Sequence, residues 1–84
     1  MNETSENRRR LKWKCRRGML ELDELLEGFL EKKYDALSEE DKRIFHEILE
    51  TPDQELYEYF MKHKPPTDGR HHHVIEAIRT TVTV

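Results

Sequence analysis

The chain has a single cysteine, Cys15, and that scarcity excludes two things. A lone thiol closes no internal disulfide, which fits a reducing compartment, and no zinc set can be assembled around it. A run of about eighteen apolar residues is missing, as is a secretory h-region. The expectation is therefore a soluble protein, not exported by that route and not inserted into a membrane. No glycine-rich phosphate loop is present, no arrangement of Ser, Cys and His suggests a nucleophilic dyad, and no internal repeat is visible. At 84 residues, folding buries only about 60% of the unfolded surface, which points to one domain with a small core and no deep enclosed active site.

Charge is what the chain has in abundance. Charged residues make up 39% of it, and the net charge is −3, which alone argues for neither nucleic acid nor membrane. The distribution says more. Residues 1–17 carry seven Lys or Arg against Glu3 and Glu6, a local +5, whereas residues 18–58 carry fourteen acids against Lys32, Lys33, Lys42 and Arg43, a local −10. A basic segment thus runs directly into an acidic one. Its two glutamates and its lack of spare length set that segment apart from a mitochondrial transit peptide, and the expected location is the bacterial cytoplasm.

The two halves meet at Arg16-Arg17-Gly18-Met19-Leu20-Glu21. A glycine between two runs of helix formers either ends one helix at positive φ or lets a partner's backbone come close, and a turn is the first reading. Arg17 offers a planar fork of donors to a carboxylate, phosphate or carbonyl. Glu21 falls in the first turn of the next helix, where the dipole favours negative charge. The blander reading of the same spacing is an ordinary helical corner with both charges solvated.

Along the chain, Glu6 to Arg17 is helix-compatible, with Leu11 and Cys15 spaced i, i+4 and Trp13 off that stripe, so Trp13 is either a packing anchor or part of a binding surface. The second helix, Met19 to about Tyr34, carries Leu22, Leu25, Leu26, Phe29 and Leu30 at helical spacing and is the main core element. Gly28 inside it costs about 1 kcal/mol relative to Ala unless a neighbouring helix approaches closely. Ser38 caps a third helix whose inward stripe is Ile44, Phe45, Ile48 and Leu49. Beyond Thr51-Pro52-Asp53, a fourth helix to about His63 turns Leu56, Phe60 and one of Tyr57 or Tyr59 inward. The stretch Lys64-Pro65-Pro66-Thr67-Asp68-Gly69 is a loop, and the last helix, starting near Arg70 or His71, buries Val74, Ile75 and Ile78 with Ala77 beside them. The pattern predicts an all-α, compact bundle of about five helices: 1–6 a flexible N-terminus, 7–80 a single helical-bundle domain, and 81–84 a frayed C-terminus.

His71-His72-His73 stands out, but adjacent histidines on a helix point in different directions and do not close on one metal as i, i+4 pairs do. No metal is expected. The bases around Cys15 are expected to lower its pKa, with nothing else supporting catalysis. The seven cations with Trp13 among them suit phosphates and a stacked base, so a nucleic-acid-associated module acting through the basic helix is the alternative reading. The neighbouring acids lie within a Debye length of about 8–10 Å and blunt that attraction.

Trp13, Cys15-Arg16-Arg17-Gly18-Met19-Leu20-Glu21-Leu22-Asp23, Phe29, Tyr34-Asp35-Ala36-Leu37-Ser38, Arg43-Ile44-Phe45, Leu49-Glu50 and Leu56-Tyr57 together resemble the flavinylation factors of succinate dehydrogenase and fumarate reductase, the bacterial SdhE type and the mitochondrial succinate dehydrogenase assembly factor 2 type. The resemblance covers about residues 8–80, and its hallmark, R-G-x-x-E, is met by Arg17, Gly18 and Glu21. Tyr59 stands where many relatives carry Trp, and Pro52-Asp53-Gln54-Glu55 rearranges the family's turn. What the resemblance implies is a five-helix bundle that binds the flavoprotein subunit and promotes covalent linkage of FAD to a histidine of that subunit. It would act as an assembly factor and not as an enzyme, monomeric when free and with no cofactor of its own. Trp13, Arg16, Arg17, Gly18, Met19 and Glu21 would then lie at the contact. An antitoxin role, attributed to some members, belongs with the alternative.

Overall fold

Leu22, Leu26, Phe29 and Leu30 are withdrawn from water on one stripe of a helix, and the rest of the chain wraps that stripe. The computed structural model describes residues 3–81, with side chains from residue 6 onward. Among the described residues there are five α-helices and no strand: α1 (Glu3–Cys15), α2 (Leu20–Lys32), α3 (Glu39–Leu49), α4 (Asp53–Met61) and α5 (His72–Arg79). The expected all-α bundle is what forms. Helix α2 packs against α1, α4 and α5, and α5 in turn meets α3 and α4.

Each helix starts and stops for local reasons. Ser38 Oγ accepts from the Asp41 backbone N–H at 3.1 Å, and three acids follow in the first turn of α3, where they face the positive end of the dipole. Asp68 plays a similar part before α5, accepting from the Arg70 N–H at 2.9 Å, and a short 3-10 turn, Gly69–His71, leads into the helix. Helix α2 stops at Lys32, two residues short of the expected end, because Tyr34–Ala36 tighten into a 3-10 turn. Pro52 sits at the N-cap of α4 in extended geometry with no side-chain cap.

The core joins all five helices. Phe29 and Phe45 stack at 5.3 Å between ring centroids, both fully buried, and Leu11 and Cys15 of the basic helix are buried with them. The anticipated stripes on α3 and α5 turn inward whole, whereas on α2 Leu25 is only half-buried against the cluster. Tyr59 is the buried tyrosine of α4 and Tyr57 the half-buried one. Helix α1 already begins at Glu3; of the flexible stretch expected over 1–6, residues 1–2 lie outside the described residues. Of the frayed end expected over 81–84, residues 82–84 lie outside them too, while Thr81 is buried and its hydroxyl donates to Ala77 O at 2.7 Å.

Candidate functional site

Between α1 and α2 the chain turns through Arg16–Met19, and Gly18 takes φ +88°, a value that side-chain-bearing residues rarely adopt. A Cβ there would meet nothing within 4 Å. Glycine is thus required by the backbone angle and not by crowding, which leaves the outer side of the turn open. Met19 forms the extended N-cap of α2 and accepts from the Asp23 N–H at 2.9 Å.

Arg17 ties this turn to the connection between α3 and α4. Its Nε donates to Asp53 Oδ1 at 2.9 Å, Nη1 to Lys14 O and Leu49 O at 2.9 Å each, and Nη2 to Thr51 O at 2.7 Å. Four of the five guanidinium N–H groups are engaged in this way, and the side chain is only 13% exposed. Its own backbone N–H donates to Asp23 Oδ1 at 2.6 Å. The fork therefore closes the end of α1 onto the Leu49–Asp53 connection between α3 and α4. The carboxylate it meets is Asp53, and Glu21 lies exposed with no hydrogen-bond partner among the described residues.

The other sequence-predicted site residues divide by exposure. Trp13, 70% exposed, shares a shallow hollow with Arg9, Lys12 and Arg16 on the outer face of α1. Arg16 is exposed, its Nε 4.0 Å from Glu27 Oε2. Met19 is half-buried against the core. Leu20, 69% exposed, joins Trp13 and Arg16, and its place off the inward stripe immediately after the turn is the sequence signal for that exposure. Asp23 and Asp53 support the corner through the Arg17 backbone N–H and side chain. Nothing local marks Asp53 for that task, since it lies thirty-six residues from Arg17.

Cys15 corrects an expectation. Its thiol is pushed up from 9.0 to about 12, chiefly by burial and secondarily by Glu27, and Arg17 offsets only part of this. Sγ lies 3.9 Å from Leu26 O inside the core. The cationic neighbours in sequence are outweighed because the helix turns this position away from water.

The basic segment is partly neutralised by the fold. Arg8 meets Asp35 at 2.8 Å, Lys14 meets Glu50 at 3.5 Å, and Arg17 meets Asp53. The histidine triplet diverges as the helix geometry requires. His73 Nε2 lies 2.8 Å from Asp41 Oδ1, His72 is exposed, and His71 Nε2 lies 2.9 Å from Glu47 Oε1. Glu47, Asp68 and His71 bring ligand-type atoms within 4.8 Å of one another, a cluster that sequence did not foretell. Arg70 Nη2 sits between the two carboxylates, 2.9 Å from Glu47 and 2.8 Å from Asp68, and supplies the positive charge there. Glu47 is held below its ordinary range mainly by the His71 hydrogen bond, and Asp68 mainly by that of Arg70.

Comparison with known proteins gives a consistent picture. A family model described as flavinator of succinate dehydrogenase matches residues 9–82. Among curated proteins, the FAD assembly factor SdhE of Coxiella burnetii is 42% identical over 79 residues, covering 94% of this chain and 95% of that protein. The FAD assembly factor SdhE of Idiomarina loihiensis is 47% identical over 66 residues, 79% of this chain and 73% of its own. That of a Serratia species is 43% identical over 75 residues, 89% and 85% respectively.

Proposed function

Because the chain belongs to the family of flavinators of succinate dehydrogenase, we propose that it is an FAD assembly factor, binding the flavoprotein subunit and promoting covalent attachment of FAD through its Gly18 corner. The observation that carries the choice of site is the division of labour at the corner: Arg17 is consumed inside the fold, while Trp13, Arg16, Leu20 and Glu21 are left exposed around an open glycine turn. A surface held in one conformation before the partner arrives loses little entropy on docking.

Covalent attachment requires the flavin's 8α-methyl to lose a proton and a histidine of the flavoprotein to attack, with negative charge passing transiently through the ring. The task left to an assembly factor is to keep these groups in register, which is positioning rather than reaction. Exposed Trp13 and Leu20 supply apolar anchors, and Arg16 with Glu21 supplies the polar rim of such a contact. Arg17 contributes at one remove, by fixing the turn that displays them. The chain itself performs no catalysis and carries no cofactor of its own; the flavin it serves stays with its partner.

The same reading extends to the flavoprotein subunit of fumarate reductase, which offers the same reaction. The free protein is a monomer in the bacterial cytoplasm, without nucleic acid. The bacterial relatives support the location, and the carboxylates that tie down Arg8, Lys14 and Arg17 weigh against nucleic acid.

The test combines apo flavoprotein subunit, FAD and this protein, followed by in-gel flavin fluorescence after denaturation, which reports attached cofactor alone. Wild type accelerates attachment, and Glu21→Ala does so poorly while its stability changes by no more than about 0.5 kcal/mol. Equal acceleration by the variant would remove Glu21 from the contact. No acceleration by wild type with either flavoprotein would sink the proposal.

A further inference from the structure

A second concave site lies on the opposite side of α1 from Trp13. Asn7, Leu11 and Lys14 follow one face of the helix at i, i+4, i+7, as Arg9, Trp13 and Arg16 follow the other. With Arg8, Arg10, Tyr34, Asp35, Lys42 and His46 the first group lines a half-open cleft of about 460 Å³, within the size range of small-ligand sites.

Its lining side chains meet one another and the α2 backbone. Arg8 Nη1 donates to Asp35 at 2.8 Å and Nη2 to Leu30 O at 3.1 Å, and Tyr34 Oη is 3.0 Å from His46 Nε2. Lys42 Nζ stands 5.3 Å from the centroid of the Tyr34 ring. The charges do not balance. Asp35 answers Arg8 and Glu50 answers Lys14, but among the described residues Arg10 and Lys42 meet no carboxylate. Burial and Lys14 keep the pKa of His46 below its ordinary value, so at neutral pH it adds no charge. Two cations in excess, beside Leu11 and the Tyr34 ring, over which the Arg8 guanidinium also stands at 5.9 Å from the centroid, match an organic dianion. Phosphate accepts from Arg and Lys alike, and its monoesters are near-dianionic at pH 7.

We propose that this cleft binds a small phosphate ester, its dianion between Arg10 and Lys42 and its organic group on Leu11 and the Tyr34 ring. The site is separate from the Gly18 corner and does not depend on the reading given to it.

Titration of phenyl phosphate into the isotopically labelled protein at low salt tests this. Saturable one-to-one shifts at the amides of Asn7, Leu11, Tyr34 and Lys42 are expected. The double variant Arg10→Ala/Lys42→Ala weakens binding about tenfold or more, and Arg10→Lys/Lys42→Arg retains it, with melting temperatures of both compared against wild type. Arg9→Ala/Lys12→Ala removes the same charge from the other face and leaves affinity within about twofold, because the interaction is local. Equal losses in the two alanine pairs, or shifts that never saturate, would overturn the site in favour of diffuse attraction. Phosphatidylcholine vesicles carrying phosphatidic acid distinguish the source of the ester: capture that needs Arg10 and Lys42 points to a lipid headgroup, and phenyl phosphate binding without capture to a free metabolite. Vesicle capture without phenyl phosphate binding refutes the proposal.

Discussion

Replacing Arg17 by alanine cuts the tie between the α1–α2 turn and the α3–α4 connection. The four guanidinium hydrogen bonds do not count equally. Asp53 is 44% exposed and returns to water when its partner is lost, so that ion pair contributes at most about 1 kcal/mol. The half-buried carbonyls of Leu49 and Thr51, 2.9 and 2.7 Å from the fork, lose a charged donor, and water admitted to the vacated space recovers part of it, leaving about 1 kcal/mol apiece; the Lys14 carbonyl is exposed and is rehydrated at little cost. The side chain's aliphatic stem also leaves the packing. A net loss of about 3 kcal/mol follows, which in a domain of this size lowers the melting temperature by roughly 12–24 °C. Arg17→Lys recovers less than half, since a single ammonium cannot span acceptors that the planar fork bridges. Urea and thermal unfolding measure both variants, and flavinylation is assayed at a temperature where each remains folded. Slower attachment by folded Arg17→Ala, relieved at higher protein concentration, is the expected outcome of a turn that is no longer preset. A stability loss below about 0.5 kcal/mol would refute the inward role of the guanidinium.

Two glycines should respond in opposite directions. Gly18→Val meets open space but a φ of +88°, costing about 1–2 kcal/mol of backbone strain, so the domain melts lower, stays folded by circular dichroism and loses its partner in pull-down; normal binding would remove Gly18 from the contact. Gly28 lies within α2 with nothing within 4 Å of a Cβ, so no neighbouring helix needs the gap, and Gly28→Ala should stabilise by about 0.5–1 kcal/mol. Phe29→Ala or Phe45→Ala empties a fully buried site at the ring stack and should cost about 3–5 kcal/mol in denaturant titration; less than about 1 kcal/mol at both sites would contradict the packing. For Cys15, a thiol raised from 9.0 to about 12 has roughly a thousandfold less thiolate at a given pH. Iodoacetamide at pH 8 should therefore label the native protein far more slowly than the urea-unfolded chain, and equal rates would place the thiol at the surface.

Much of the fold can be read along the chain because it is decided between near neighbours. The i, i+3, i+4 leucines of α2, the Ser38 cap with its three acids, and the divergence of three consecutive histidines all follow from 3.6 residues per turn. Gly18 declares itself the same way, since its positive φ is a property of one backbone. Resemblance added the R-G-x-x-E motif and with it the family. Which of its side chains turns inward and which faces water came only with the tertiary structure. Arg17 reaches Asp53 and the carbonyls of Leu49 and Thr51 across more than thirty residues, so its inward turn depends on where the α3–α4 connection falls against the end of α1, which no local pattern specifies. Flanking bases predicted an acidic thiol at Cys15, and burial against α2 reversed the sign. The cleft that sets Arg10 opposite Lys42, and the meeting of Glu47 with His71, likewise arise from how α3 lies against α1 and the start of α5. Charge positions along a sequence fix how much field there is to distribute; only the packing of helices decides which charges cancel and which are left facing water.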